Sequence, residues 1–288
     1  MREKNSGNEK AMKPLLELRD VAVGYQGKTV LTGLTLSVRR GELVVLAGPN
    51  GSGKTTLLKT AAGVIAPKAG TVWLFGKNAA GMNRRERAGK TAILFQGTLI
   101  NWPFTVEEII KQGQFSKRNF WGSLGKNMKD DAENAVRRAI LEAGLSGYEE
   151  RLVTELSGGE LQRVLIARSI AQGAELLLLD EPVNNLDPKY QNAVMDLARQ
   201  MTRRGRGVLV SLHDLNLAAL YADRIAFVSQ GRIAFTGTPD EVLTTETLEQ
   251  VYGIAMPVGT HISLPAQKIV FPIPPAPPAV EALGGGLQ

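Results

Sequence analysis

This 288-residue sequence contains no cysteine and only two histidines, His213 and His261. The lack of cysteine excludes disulfides, thiolate metal sites and a cysteine nucleophile. Long hydrophobic runs are missing too. The "LLLL" stretch at Leu176 to Leu179 falls far short of the ~20 apolar residues a membrane span requires. The opening "MREKNSGNEKAMK" is polar, without the apolar segment of a secretory signal, so a disordered stretch over residues 1–13 is expected. Long basic blocks are also absent. Although the formal net charge is +6, the longest clusters are "RRER" at Arg84–Arg87 and "RRGR" at Arg203–Arg206. Clusters this short suit a solvated basic surface, and no nucleic-acid partner is expected. With 43% hydrophobic and 22% charged residues, the composition is that of an ordinary globular protein, and a cytoplasmic one fits the missing cysteines.

The pattern along the chain alternates strands with helices at both ends. From Leu15 to Val38, β-rich segments separated by turn signals at "YQGK" and "LTG" predict antiparallel strands. "ELVVLAGP" predicts a buried strand entering a glycine loop, and "KTTLLKTAAG" a short helix stopping at Gly63. Two further strands are expected at "TVWLF" and "TAILF". Residues 97–172 carry helical periodicity, as in "DDAENAVRRAILEAGL". A strand returns at "ELLLLD", a helix at Asn192 to Arg204, a strand at "GVLVSL", and a hairpin at "RIAFVSQGRIAFTG" turning at Gln230-Gly231. Thr238, Pro239 and Glu241 have the spacing of a helix start. The proline- and glycine-rich "FPIPPAPPAVEALGGGLQ" tail reads as extended or disordered. The expected architecture is an α/β core carrying a helical insert.

The chemistry begins at "GPNGSGKT", Gly48 to Thr55, which satisfies G-x-x-x-x-G-K-[ST] between a strand and a helix. Its glycines let backbone N–H groups turn inward around a phosphate chain, and the helix adds its positive end. Gly48, Pro49, Asn50, Gly51, Ser52, Gly53, Lys54, Thr55 and Thr56 are therefore the candidate nucleotide contacts. Lys54 reaches the β- and γ-phosphates, and the Thr55 hydroxyl ligates Mg²⁺. "LLLLDE" supplies a metal-side carboxylate, Asp180, and one residue later Glu181, placed to polarise an attacking water. "LSGGE" gives Ser157 and Glu160 the spacing of a capping box, with Gly158 and Gly159 leaving backbone N–H groups open to an anion. One chain then holds two phosphate-binding helix ends and a single phosphate loop, so the second end is expected to serve a nucleotide on another copy.

In order and spacing, "GPNGSGKTT", "LFQ", "LSGGELQRV", "LLLLDEP", "NNLD" and "SLHD" resemble the ATP-binding cassette (ABC) ATPase family over residues 15–255. The resemblance implies a P-loop NTPase (RecA-like) α/β core with an antiparallel β subdomain and an inserted α-helical subdomain at 97–172. It places the cassette at 14–262 and a Pro/Gly-rich tail at 263–288. It implies ATP and Mg²⁺ as cofactors and a head-to-tail homodimer in which each ATP lies between one loop and the partner's "LSGG" helix. Carried over, Tyr25 stacks on adenine, with a core tyrosine as the alternative. Gln96 contacts Mg²⁺ and the γ-phosphate, and Asp187 lies in the loop that crosses to the partner. His213 hydrogen-bonds the γ-phosphate and holds Glu181 and the water in line, where a histidine alone at a strand end would read as a core residue. The sequence departs from the family at Val183, where threonine is common, and at Asn184-Asn185, where small residues are common.

The resemblance further implies an integral membrane permease, an extracytoplasmic solute-binding protein acting through it, and a peripheral place on the cytoplasmic face of the membrane. "FTVEEIIKQGQF" lies where the permease contact is expected. Trp102, Phe104, Phe115, Phe120 and Trp121 cluster around it, and most of these rings are expected to pack the insert's core. The stretch from "SLHDLNLAALYADR" to "LEQVYGI" is similar to cassettes of importers for iron–siderophore, haem and vitamin B12 compounds. The alternatives are a cassette for another solute, an exporter half, or a non-transport ATPase acting on nucleic acid.

Overall fold

The computed structural model describes residues 13–25, 27–98, 100–116, 126–261 and 267–271. Phe120, Trp121 and both tails, at 1–12 and 272–288, lie outside them. Strands β1 (Leu16–Tyr25) and β2 (Lys28–Val38) form an antiparallel hairpin closed between Tyr25 and Lys28, where Gly27 supplies a φ of 84°. "LTG" is not a turn. It lies inside β2, where Gly33 at φ 62° accommodates a shift of register between the Leu31 and Leu34 pairings. β3 (Leu43–Ala47) feeds the glycine loop and α1 (Lys54–Ala61). β4 (Ala69–Leu74) and β5 (Lys77–Asn78) return to the hairpin, giving a four-stranded antiparallel sheet ordered β2-β1-β4-β5.

After α2 (Arg84–Lys90) and β6 (Thr91–Leu94), the chain leaves the core through α3 (Val106–Lys111), α4 (Lys126–Glu142) and α5 (Gly158–Gln172). It re-enters at β7 (Leu176–Asp180) and continues with α6 (Pro188–Arg203), β8 (Gly207–Ser211), α7 (Leu215–Tyr221), β9 (Arg224–Ser229) and β10 (Arg232–Gly237). The core sheet is six-stranded, β10-β9-β3-β8-β7-β6, parallel except for the β10 edge. The helix expected at Asn192 begins at Pro188, because Asp187 takes the cap position and Pro188 the first turn. Helices α8 (Pro239–Val242) and α9 (Thr245–Tyr252) follow, then a hairpin of β11 (Val258–Thr260) and β12 (Lys268–Val270). β12 lies within the stretch read as tail; Asn216 of α7 grips Val270 at both its N–H (2.8 Å) and its C=O (3.2 Å).

Strands β3, β7 and β8 read as unbroken apolar runs because both faces of the sheet are covered. Leu43, Val45, Leu177, Leu179, Val208 and Val210 point toward the helical insert and α6. Val44, Leu46, Leu176, Leu178 and Leu209 point to α1 and the antiparallel sheet. The period of two in side-chain direction sorts adjacent residues into two separate cores. Each fully buried leucine contributes about 1.5–3 kcal/mol relative to exposure. This burial fixes the ends of β3, β7 and β8 against one another, and the polar residues of interest follow those ends.

Candidate functional site

The phosphate loop joins β3 to α1 with a backbone that other residues do not adopt readily. Gly48, Gly51 and Gly53 have φ of 139°, 75° and 107°. A Cβ on Gly48 would stand 2.1 Å from the Val228 carbonyl oxygen, so the loop is pressed directly onto β9. From the other side, Tyr252 of α9 packs edge-on to Phe227, with ring centroids 6.3 Å apart. Burial pushes the Tyr252 phenol up to about 12, and its hydroxyl meets the Gly48 backbone. Lys54 folds inward, its Nζ donating to the carbonyls of Gly48 (2.8 Å) and Pro49 (3.1 Å). Burial lowers the pKa of this ammonium, and the nearby Glu181 and Asp180 carboxylates oppose the shift. Ser52 Oγ in the same loop is buried without a hydrogen-bond partner.

Asp180 closes β7 and is 1% exposed. Its Oδ1 accepts from Ser211 Oγ at 2.8 Å, while Oδ2 is buried with no partner. An unpaired buried carboxylate oxygen is costly unless a cation or its water shell completes it. Thr55 lines the cleft together with Glu181, the residue after Asp180, and hard oxygens such as these suit Mg²⁺. Glu181 turns out of the strand at φ 50°, and its N–H donates to the same Ser211 Oγ at 2.8 Å. Its carboxylate is held at both ends. Gln96 Nε2 donates to Oε2 at 2.6 Å, Asn184 Nδ2 donates to Oε2 as well, and His213 Nε2 lies 2.6 Å from Oε1. His213 is therefore not a core histidine: it stands just past the end of β8 with 36% of its side chain exposed. One cleft is lined by Asn50, Gly51, Thr55, Gln96, Glu181, Asn184 and His213.

The second helix end lies outside that lining. Ser157 caps α5 in a full capping box: the Ser157 N–H donates to Glu160 at 2.8 Å, and Glu160 N–H to Ser157 Oγ at 3.3 Å. Ser157 and Gly158 are exposed, whereas Gly159 lies under Tyr190, whose ring a Cβ would meet at 2.6 Å. Asp187 is exposed at the cap position of α6, and its side chain makes no capping bond. Tyr25, at the end of β1, is 45% exposed, which rules out the core-tyrosine alternative. Trp102, Phe104 and Phe115 are 72%, 39% and 62% exposed, so these three rings do not pack the insert's core as expected.

Two residues that contact the carboxylates of the candidate site escaped the sequence reading. Ser211, fully buried, ties both carboxylate residues together. Its signal was a hydroxyl closing the apolar run "GVLVS", two positions before His213. Asn184 was noted only as a departure from a family pattern. Its contact with Glu181 spans three positions across a turn, which periodicity does not encode. Val183 is 4% exposed within the larger core, so an apolar residue there packs rather than contacts the cleft.

The chain is similar to known proteins over most of its length. The ABC transporter family matches residues 31–184. The chain is 40% identical over 268 residues to a hemin import ATP-binding protein of Mesorhizobium japonicum, covering 90% of this chain and 98% of that one. Among solved structures, a putative metal-chelate type ABC transporter in an inward-facing conformation superposes with a TM-score of 0.74 at 22% identity, covering 90% of this chain and 96% of that one. A bacterial ABC transporter cassette solved as a dimer has a TM-score of 0.64 at 26% identity, covering 78% of this chain and 98% of that one.

Proposed function

The chain belongs to the ABC transporter family, and from that premise we propose that it is the ATP-hydrolysing subunit of an importer for hemin or a chemically similar iron chelate. ATP hydrolysis coupled to transport is the activity of such subunits, which dimerise and work with membrane permease subunits. The observation that carries the chemical reading is one cleft lined by the phosphate loop and by a Glu181 gripped at both oxygens, with the unpartnered Asp180 Oδ2 on the residue just before it. The solute class rests on the similarity to the hemin import protein. A solute-binding protein on the far side of the membrane, and a peripheral place on its cytoplasmic face, complete the reading. Among the described residues no helix is long and apolar enough to cross a membrane, so the solute's path belongs to the permease.

The residues divide the work. The loop amides and Lys54 bind the phosphates of ATP, Tyr25 stacks on adenine, and Thr55, Asp180 and Gln96 would hold Mg²⁺. Mg²⁺, when bound, neutralises charge on the β- and γ-phosphates. Glu181 polarises the attacking water, and His213 keeps that carboxylate and the γ-phosphate in line. Ser157, Gly158, Gly159 and Glu160 of one copy meet the nucleotide on the other, beside the loop containing Asp187. Closing two copies excludes water and strengthens every charge interaction in the site.

The test is Glu181→Gln. Turnover should fall by at least about a hundredfold, while ATP binding persists and the ATP-bound dimer accumulates on size exclusion. Normal turnover in this variant would remove Glu181 from the mechanism. The solute is tested in the reconstituted complex with permease and binding protein: hemin, rather than a ferric siderophore or cobalamin, should stimulate hydrolysis.

A further inference from the structure

The departure at Val183-Asn184-Asn185 carries an inference that rests on the reading of Glu181 as the water-polarising group. We propose that Asn184 is a positioning residue for hydrolysis, its amide fixing Glu181 Oε2 so that the other carboxylate oxygen stays with His213. The loop that carries Asn184 is pinned on both sides. Val183 is sealed in the apolar core, and Asn185 takes a φ of 60°, which asparagine tolerates better than most residues. Two consecutive turns, Asn184 N–H to the Glu181 carbonyl and Leu186 N–H to the Val183 carbonyl, both 3.3 Å, set its path. Within this frame the Asn184 amide has Glu181 Oε2 as its acceptor.

Gln96 donates to the same oxygen, but from a different kind of support. It is exposed, just past β6 on the segment that leads into the helical insert, so its hold on Oε2 depends on where that segment lies. Asn184 is three positions from Glu181 and moves with it. It is the donor that stays. A neutral amide donating to an ionised carboxylate makes a charge-assisted bond, stronger than one between neutral groups. In the step served, a water oxygen bonds to the γ-phosphorus, the bridging bond to ADP breaks, and a water proton passes to Glu181. A carboxylate free to rotate presents the wrong oxygen for part of the time, and the loss falls on kcat rather than on ATP binding.

The experiment compares Asn184→Ala, Asn184→Asp and Asn184→Gln in the purified full-length chain with MgATP, alongside thermal unfolding. Alanine should lower kcat about tenfold, with KM for ATP unchanged. Aspartate, the same size but without the donor and repelled by Glu181, should lower it about a hundredfold. Glutamine, which keeps an amide, should recover part of the alanine loss. A kcat within about twofold of wild type for the aspartate variant, or a loss confined to KM, would overturn the proposal. Should the aspartate variant not fold, the alanine–glutamine pair decides: equal losses in the two overturn it. These results are separable from the underlying reading, because normal turnover in Glu181→Gln overturns both, whereas an inactive Glu181→Gln with normal Asn184 variants overturns only this one.

Discussion

Ser211 shows how much one buried hydroxyl can organise. It donates to Asp180 and accepts from the Glu181 N–H, each at 2.8 Å, in a position with no solvent exposure. Removing it leaves a carboxylate oxygen and a backbone donor without partners in an apolar sheet. Ser211→Ala should therefore cost about 1–3 kcal/mol of stability, read from urea unfolding; a change of a few tenths would mean the hydroxyl is dispensable. His213 behaves differently because it is partly exposed and sits past the strand end. His213→Ala should leave the unfolding midpoint unchanged and reduce kcat by about 10²–10³-fold, a loss of the size that follows removal of one preorganised polar contact. Full activity would return His213 to a structural role. The rarity of histidine made His213 easy to notice, but its 2.6 Å approach to Glu181 and its exposed side chain separate the two readings.

Among the elements, α5 has the helix start on which the partner's nucleotide is proposed to rest. Its capping box engages the N–H groups of Ser157 and Glu160 and leaves Ser157 and Gly158 exposed. Burial alone would raise the Glu160 pKa, but its bonds to the Ser157 N–H and hydroxyl and to Tyr148, with Arg151 nearby, hold the carboxyl below its ordinary value of 4.5. A depressed folded-state value means the box stabilises fully above pH 4.5 and loses that contribution as pH falls through the folded value. Ser157→Ala should cost about 1 kcal/mol at pH 7. The advantage of wild type over Glu160→Gln in denaturant unfolding should fade below pH 4.5; an advantage that grew on acidification would reverse the sign argued here. This box was legible because capping is local: four consecutive residues contain all of it. The start of α6 at Pro188 was equally local in Asp187-Pro188, yet the apolar pattern that begins at Val194 drew the expected boundary inward.

At the scale of the whole molecule, three aromatic residues of the helical insert, Trp102, Phe104 and Phe115, face outward. Trp102 is 72% exposed beside α3, at the edge of the segment that follows Gln96. A large ring left in solvent, six positions along the chain from Gln96 of the cleft, suits a partner that must sense ATP. Trp102→Ala should leave the isolated ATPase unaffected and weaken co-purification with the permease about tenfold or more. Unchanged complex formation would direct attention away from this edge. On the core side, Glu142 at the end of α4 meets Arg204 and Arg206 beyond α6, so the insert is tied to the core at its far end as well.

The sequence by itself determined the phosphate loop, the capped "LSGG" helix and the order of strands and helices, because each depends on neighbours within a few positions: glycines for left-handed backbone, a hydroxyl and a carboxylate three apart, apolar residues at one period. It also determined the family through the order of those motifs. Tertiary structure alone decided which groups meet. Gln96, Glu181, Asn184, Ser211 and His213 come from three separate strand ends and their loops, and they share a site because β6, β7 and β8 lie side by side in a parallel sheet. A parallel sheet brings all its carboxyl ends to one edge. Residues 85 positions apart, such as Gln96 and Glu181, are then in hydrogen-bond contact, a consequence of sheet pairing that no local pattern encodes.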